Sequence, residues 1–295
     1  MSWTLALAGI AATGWGFSDF LAGVGARRLP VRAVLIGAQL TGLVLALVYL
    51  AVRDGPLPTD PRLLVISAVA GTLSVPGMGL VYRAMRDGSL AVVAPVAAGA
   101  ALIPVAWGLL HGERLSAGGI LGAVAAMAGM TCASWPAGDR AGRRARWRAA
   151  WCAGGAALCF GTFFVLVHEA APDDPYIATA YVRLAGGIAG LLLLTEALVR
   201  RRIRMPRGTG SPWLLPVGVG VLETVADGAF AVAAAGVAVG AAAVVSSLYP
   251  AVTVLLNAVL LRERLPAVHL CGCSPRWSGW RAWPPDPFPG ADLHR

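Results

Sequence analysis

Nine stretches of this chain are apolar over about the length that crosses a bilayer, and no motif restricts the backbone as much. They are Trp3–Val24, Ala33–Val52, Leu63–Tyr82, Ser89–Leu110, Ala117–Trp135, Ala149–Val167, Tyr176–Val199, Trp213–Ala235 and Ala241–Leu261. A membrane-spanning helix needs roughly 20 mostly apolar residues. So many apolar segments cannot all be internal to a water-soluble globule of this length. The chain is 57% hydrophobic and 13% charged, with a mean hydropathy of +0.70. Soluble domains carry about twice that charged fraction. The first span is not expected to be a cleaved signal peptide: it lacks a basic start, and Trp15 and Asp19 interrupt its apolar core.

The second constraint is a duplication. Glu113-Arg114-Leu115 and Glu263-Arg264-Leu265 each follow a long apolar run, 150 positions apart. The same offset sets Ser74-Val75 on Thr224-Val225 and Ala117 on Ala267. Nearer the start of each copy the offset falls to about 145, where Gly16 matches Gly161 and Gln39 matches Arg183. A complete copy holds five spans, an odd number, so the two copies are expected to sit upside down relative to each other. The expected fold is therefore an all-α integral membrane bundle of two inverted repeats of five helices. Residues 3–135 form the first repeat, 149–270 the second, and Pro136 to Arg148 a polar linker. Inverted repeats place a substrate site where the halves meet, near the bilayer midplane.

The residues that carry a family likeness are distributed along both copies. They are Trp15-Gly16 with Asp19, Tyr82-Arg83-Ala84 closing the third span and Val93-Ala94-Pro95-Val96 in the fourth. Gly112-Glu113-Arg114-Leu115, Ser246-Ser247-Leu248-Tyr249-Pro250 and Arg262-Glu263-Arg264-Leu265 complete the set. In order, spacing and duplication the chain resembles the ten-helix drug/metabolite transporter superfamily, EamA type, from the first residues to about Leu270. The resemblance implies a small-metabolite carrier with a central cavity between the halves, and it implies no particular substrate.

Charge is topogenic here. No lysine occurs, and the net charge of +9 rests on arginines in short connections such as Arg140 to Arg148 and Arg200 to Arg207. Such runs face the cytoplasm and anionic lipid, and no aromatic–basic platform for nucleic acid accompanies them. Arginine is denser after spans one, three, five and seven, which puts the N-terminus outside; the resemblance implies the opposite orientation. Cys132, Cys152 and Cys159 lie in apolar surroundings as small core residues. The histidines are scattered, so neither a metal nor a cofactor is expected. No Ser–His or Cys–His set converges as an intramembrane enzyme requires. The expected partners are a small-molecule substrate and membrane lipid, without nucleic acid and with room for a homodimer. The expected location is the cell membrane, crossed many times.

Polar residues inside the spans are the candidates for substrate contact, because ionisable groups in hydrocarbon are costly and usually face a cavity or a partner. Asp19 is one turn past Trp15 on the same helix face; it either walls a cavity or pairs with Arg27 or Arg28 at the membrane edge. Glu223 and Asp227 are one turn apart in mid-span, and two carboxylates that close in low dielectric cannot both stay ionised easily. That suits proton coupling or a cationic substrate, with a structural hydrogen-bonded pair as the other reading. Arg183 could clamp a substrate carboxylate, neutralise Glu223 or Asp227, or snorkel. Ser246, Tyr249, Thr253 and Asn257 form a polar stripe absent from the first half, which fits a substrate wall or interhelical hydrogen bonding. Gln39 joins the set as the counterpart of Arg183. Glu113 and Glu263 sit at span ends, where they are expected to cap or pair. The expected function is membrane transport of small metabolites, as proton-coupled efflux or exchange. The alternative is a non-transporting or defective membrane scaffold lacking its last helix.

That alternative comes from the C-terminus. The first copy continues past its Glu-Arg-Leu motif with the apolar run Gly118 to Met130, whereas the second turns into Cys271-Gly-Cys-Ser-Pro-Arg-Trp-Ser-Gly-Trp-Arg-Ala-Trp283 and Pro284-Pro285. Such a density of Pro, Arg and Trp makes no spanning helix. Residues 271–295 are thus expected to be an aberrant, irregular tail in place of the tenth helix. Back-translation with GC-rich codons, read from the third base of the Cys271 codon, yields Arg-Val-Leu-Ala-Ala-Leu-Val-Gly-Val-Ala-Gly-Leu-Ala. A frameshift near Cys271 is the expectation, with activity weak until one or two bases are repaired. A stop codon or a polar run in that frame of the gene would remove the idea.

Overall fold

The computed structural model describes residues 2–87, 99–113, 143–200 and 214–260, and these are all-helical apart from their connections. Helix α1 is Ser2–Ala26, α2 Val31–Val52 and α3 Pro61–Asp87. A 3₁₀ turn at Gly99–Ala101 leads into α4, Leu102–Leu110. The second half begins with α5, Arg143–Ala170, followed by α6, Pro175–Val199, and α7, Leu214–Gly236. It ends with α8, Val239–Ser246, and α9, Tyr249–Leu260. Among the described residues, seven helical segments are long and apolar enough to cross a membrane, α8 and α9 together counting as one. The fifth span, the start of the fourth, the Arg262-to-Leu265 motif and the tail from Cys271 lie outside the described residues.

Local sequence explains where these helices start and break. Asp174 caps α6 by accepting from the N–H groups of Tyr176 and Ile177, both at 3.0 Å, with Pro175 at the first helical position. Asp60 does the same for α3, accepting from Leu63 N at 2.8 Å ahead of Pro61. Two boundaries differ from the sequence reading. Arg143 to Arg148, expected in the linker, form the first turns of α5, since Arg and Ala are strong helix formers and the apolar helix that follows propagates backward. The ninth span is divided at Ser247-Leu248, because Pro250 disfavours helical backbone at the preceding residues and suits the first turn of a new helix. Glu113, expected to cap or pair at its span end, does cap, and the helix it caps is in the opposite half. Its carboxylate accepts from Val239 N at 2.9 Å and Gly240 N at 3.5 Å, at the positive end of α8.

Packing is symmetric under exchange of the halves. The most extensive pairs are α1 with α7 and α3 with α5. Each is the other's counterpart when α1 exchanges with α5 and α3 with α7. Likewise α3–α6 corresponds to α2–α7, α1 on α8 and α9 corresponds to α5 on α4 and its 3₁₀ turn, and α2–α6 maps onto itself. Glycines repeat this atom by atom. A Cβ on Gly16 would lie 2.8 Å from the carbonyl oxygen of Tyr249 and close on Val252, and one on Gly161 would lie 2.6 Å from that of Ala100 and 2.9 Å from the Cβ of Ile103. Tyr249 and Val252 are each 149 positions after Ala100 and Ile103. Small residues let helix backbones meet closely in lipid, where dispersion rather than hydrophobic burial drives association. Outward faces carry exposed Val44, Leu47, Val48, Leu191 and Leu192; such apolar side chains suit contact with acyl chains.

The register in the core is therefore 149 in the third and eighth spans, one less than the loop motifs suggest. Gly71 presses on Val182 as Gly220, 149 positions later, presses on Ala38. Ser74 accordingly stands opposite Glu223 and Met78 opposite Asp227, not Ser74 opposite Thr224.

Candidate functional site

A cavity of about 550 Å³, open solvent included, lies where α1, α2, α3, α5, α6, α7 and α9 meet. Twelve of its 14 lining residues form six exchange pairs. Trp15 with Phe160, Ser18 with Phe163 and Asp19 with Phe164 are 145 apart, Gln39 and Arg183 are 144 apart, and Ser74 with Glu223 and Met78 with Asp227 are 149 apart. The cavity thus sits on the exchange axis, yet its two walls differ chemically. The first half contributes Trp, Ser, Asp, Gln, Ser and Met, and the second contributes three Phe, Arg, Glu and Asp.

At the centre is a buried ionic network. Arg183 Nη1 donates to Glu223 Oε2 at 3.1 Å, and Nη2 pairs with Asp227 Oδ2 at 2.8 Å. Asp227 Oδ1 accepts from Trp15 Nε1 at 3.0 Å. Glu223 Oε1 accepts a long bond from Tyr82 Oη, 3.4 Å, and stands 3.5 Å from Ser18 Oγ. One helical turn separates Glu223 from Asp227, so α7 presents both carboxylates to one guanidinium fork. Of the alternatives left open for Arg183, neutralising this pair is the one the geometry takes. The guanidinium is 5% exposed, so it does not snorkel, and its Nε has no partner among the described residues.

Asp19 is also buried, 5% exposed, and lines the cavity one turn from Trp15. Among the described residues it has no hydrogen-bonded or ion-paired partner, Arg27 and Arg28 included. Gln39 is fully buried, and both its amide atoms are unpartnered among the described residues. Gly186 and Gly190 make room for it, since a Cβ on Gly186 would lie 2.8 Å from Gln39 Oε1. The aromatic wall is continuous: Trp15 lies 5.4 Å from Phe164, 5.7 Å from Phe230 and 6.3 Å, edge-on, from Tyr249.

The cavity brings together Trp15, Asp19, Gln39, Arg183, Glu223, Asp227 and Tyr249 from the sequence candidates. Ser246, Thr253 and Asn257 are not in its lining. Ser246 Oγ donates to Ala8 O at 3.2 Å and Thr253 Oγ1 lies 3.1 Å from both Gly16 O and Tyr249 O, so these hydroxyls bind α1 to α8 and α9. Asn257 is half-buried further along α9. Sequence reasoning missed Ser18, Ser74, Met78, Phe160, Phe163, Phe164 and the Tyr82 hydroxyl. The 145 offset applied to Trp15 and Asp19 would have pointed to Phe160 and Phe164. Among the described residues no three His, Cys, Asp or Glu side chains are placed to hold a metal ion.

Residues 147–275 match the model of the EamA-like transporter family. The likeness at the sequence level is thus to EamA-like transporters and lies in the second half of the chain. A solved structure titled only "Crystal structure of protein" superposes with a TM-score of 0.73 over 92% of each chain at 18% identity. It carries the fold across both halves and nothing about substrate. No curated protein matches the sequence. The EamA-like match and the seven helices of spanning length and apolarity among the described residues are those of a multi-pass membrane protein of transporter type. The match runs from residue 147 in α5 through α9, and takes in Arg183, Glu223, Asp227 and the phenylalanine wall.

Proposed function

We propose that this chain is a cell-membrane carrier that moves a small metabolite through the cavity between its halves in exchange for protons. The observation that carries the reading is the Glu223–Arg183–Asp227 network, buried at mid-span in the cavity wall. Two carboxylates on one guanidinium leave a surplus negative charge that a proton or a cation can satisfy, and moving either changes how tightly α6 is held to α7. Buried ion pairs of this kind are weak evidence for stability, since the desolvation cost roughly cancels their attraction; within a membrane they mark ion and substrate paths. The titratable and charged groups around the pair come from four helices: Asp19 from α1, Tyr82 from α3, Arg183 from α6, and the two acids themselves from α7.

The test is substrate flux in proteoliposomes with and without a pH gradient, comparing the parent with Glu223→Gln and Asp227→Asn. Each substitution keeps one carboxylate for Arg183 and removes one charge-assisted bond. Such a bond is worth about 1.5–3 kcal/mol, so flux is expected to fall about tenfold or more and lose its response to the gradient. Unchanged flux and unchanged pH response in both variants would rule the mechanism out.

A further inference from the structure

We infer that the substrate taken by this cavity is a small organic monocation with an apolar body, its ammonium group paired to Asp19. The inference rests on the carrier reading above and names the substrate class of the same site. Three carboxylates and one guanidinium line the cavity, and the guanidinium is already divided between Glu223 and Asp227. Asp19 is the carboxylate left over. It is nine-tenths buried, unpartnered among the described residues, and has Glu223, Tyr82 and Tyr249 as its electrostatic neighbours. A second negative charge nearby makes an anionic ligand unfavourable and a cationic one favourable. The surroundings of Asp19 fit the rest of such a molecule. Trp15, Phe164 and Tyr249 offer aromatic faces that attract a cation and cover an apolar body. Gln39 holds a buried amide with neither donor nor acceptor used among the described residues, an independent pointer to a ligand that hydrogen-bonds there. A ligand bearing one polar substituent beyond its ammonium would satisfy it. A proton on Asp19 competes with the ammonium for the same oxygens, which couples release of one to binding of the other.

The experiment is equilibrium binding to the purified full chain in detergent, followed by tryptophan fluorescence. The probes are 2-phenylethylammonium, the neutral 2-phenylethanol and zwitterionic phenylalanine, which share one aromatic body. The expected order is the ammonium at least about tenfold tighter than either of the others, one charge-assisted hydrogen bond being worth that much. Asp19→Asn is expected to remove this preference by weakening only the ammonium, while Asp19→Glu retains it. Thermal unfolding of both variants, matched to the parent, shows that the pocket is intact; if Asp19→Asn unfolds, Phe164→Leu replaces it and is expected to weaken the ammonium severalfold. Equal binding of all three probes, tighter binding of phenylalanine, no binding of any, or an ammonium affinity indifferent to both Asp19→Asn and Phe164→Leu overturns the inference. The carrier reading fails separately: ammonium that binds through Asp19 but shows no flux in proteoliposomes defeats transport and leaves the binding assignment standing.

Discussion

Arg183→Met is expected to yield little folded protein, and the triple variant Arg183→Met with Glu223→Gln and Asp227→Asn is expected to recover it. The guanidinium is the shared partner of two acids that are themselves nearly inaccessible. Removing it leaves two uncompensated carboxylates one turn apart on α7, which costs about 3–5 kcal/mol, a large share of a protein's marginal stability. Neutralising both acids removes that penalty, because an amide left in the cavity wall costs far less than a charge. The measurement is the monodisperse yield in detergent and the thermal midpoint of each variant. A single Arg183→Met variant as abundant and as thermally stable as the parent would show that the acids are already neutral and that the network is not ionic. Recovery of folding without recovery of flux would separate the structural part of the network from its part in transport.

Much of this architecture was legible because lipid enforces simple rules. Apolar runs of about 20 residues mark helices whatever their neighbours, and acids within them are conspicuous. Glu223, Asp227, Asp19 and Trp15 were therefore found from sequence, and α1 does pack on α7 with the cavity between the halves. The phenylalanines were not found, since an aromatic residue in an apolar helix reads the same whether it meets lipid, core or cavity. The polar stripe of the ninth span divides between its two readings: Tyr249 lines the cavity, while the hydroxyls of Ser246 and Thr253 make interhelical hydrogen bonds to the backbone of α1, and Asn257 lies outside the lining. The repeat was offset by one residue in its third helix because the loop motifs that announce it lie beyond the helices. Glycine contacts, which no sequence motif displays, carry the true register.

Those glycine contacts give the other large effect. Gly71→Ala and Gly220→Ala are each expected to destabilise the bundle by about 1–3 kcal/mol or more and to abolish flux, while Gly9→Ala and Gly23→Ala leave both intact. A Cβ on Gly71 would collide with the carbonyl oxygen of Val182, and one on Gly220 with that of Ala38. Neither obstacle is the far end of a flexible side chain; each is backbone in the middle of a helix, so relief requires moving α3 from α6 or α7 from α2. These are exchange-related interfaces, and a fold built from two copies should suffer alike at both. Gly9 and Gly23 in α1 have no heavy atom of the described residues within 4 Å of such a Cβ. There the only change is the intrinsic helix preference, which favours Ala by roughly 0.8–1 kcal/mol. Thermal midpoints in detergent, paired with flux in proteoliposomes, read the four variants together. A Gly71→Ala variant as stable as Gly9→Ala would mean that α3 and α6 do not approach this closely, and the 149-residue register would lose its support there.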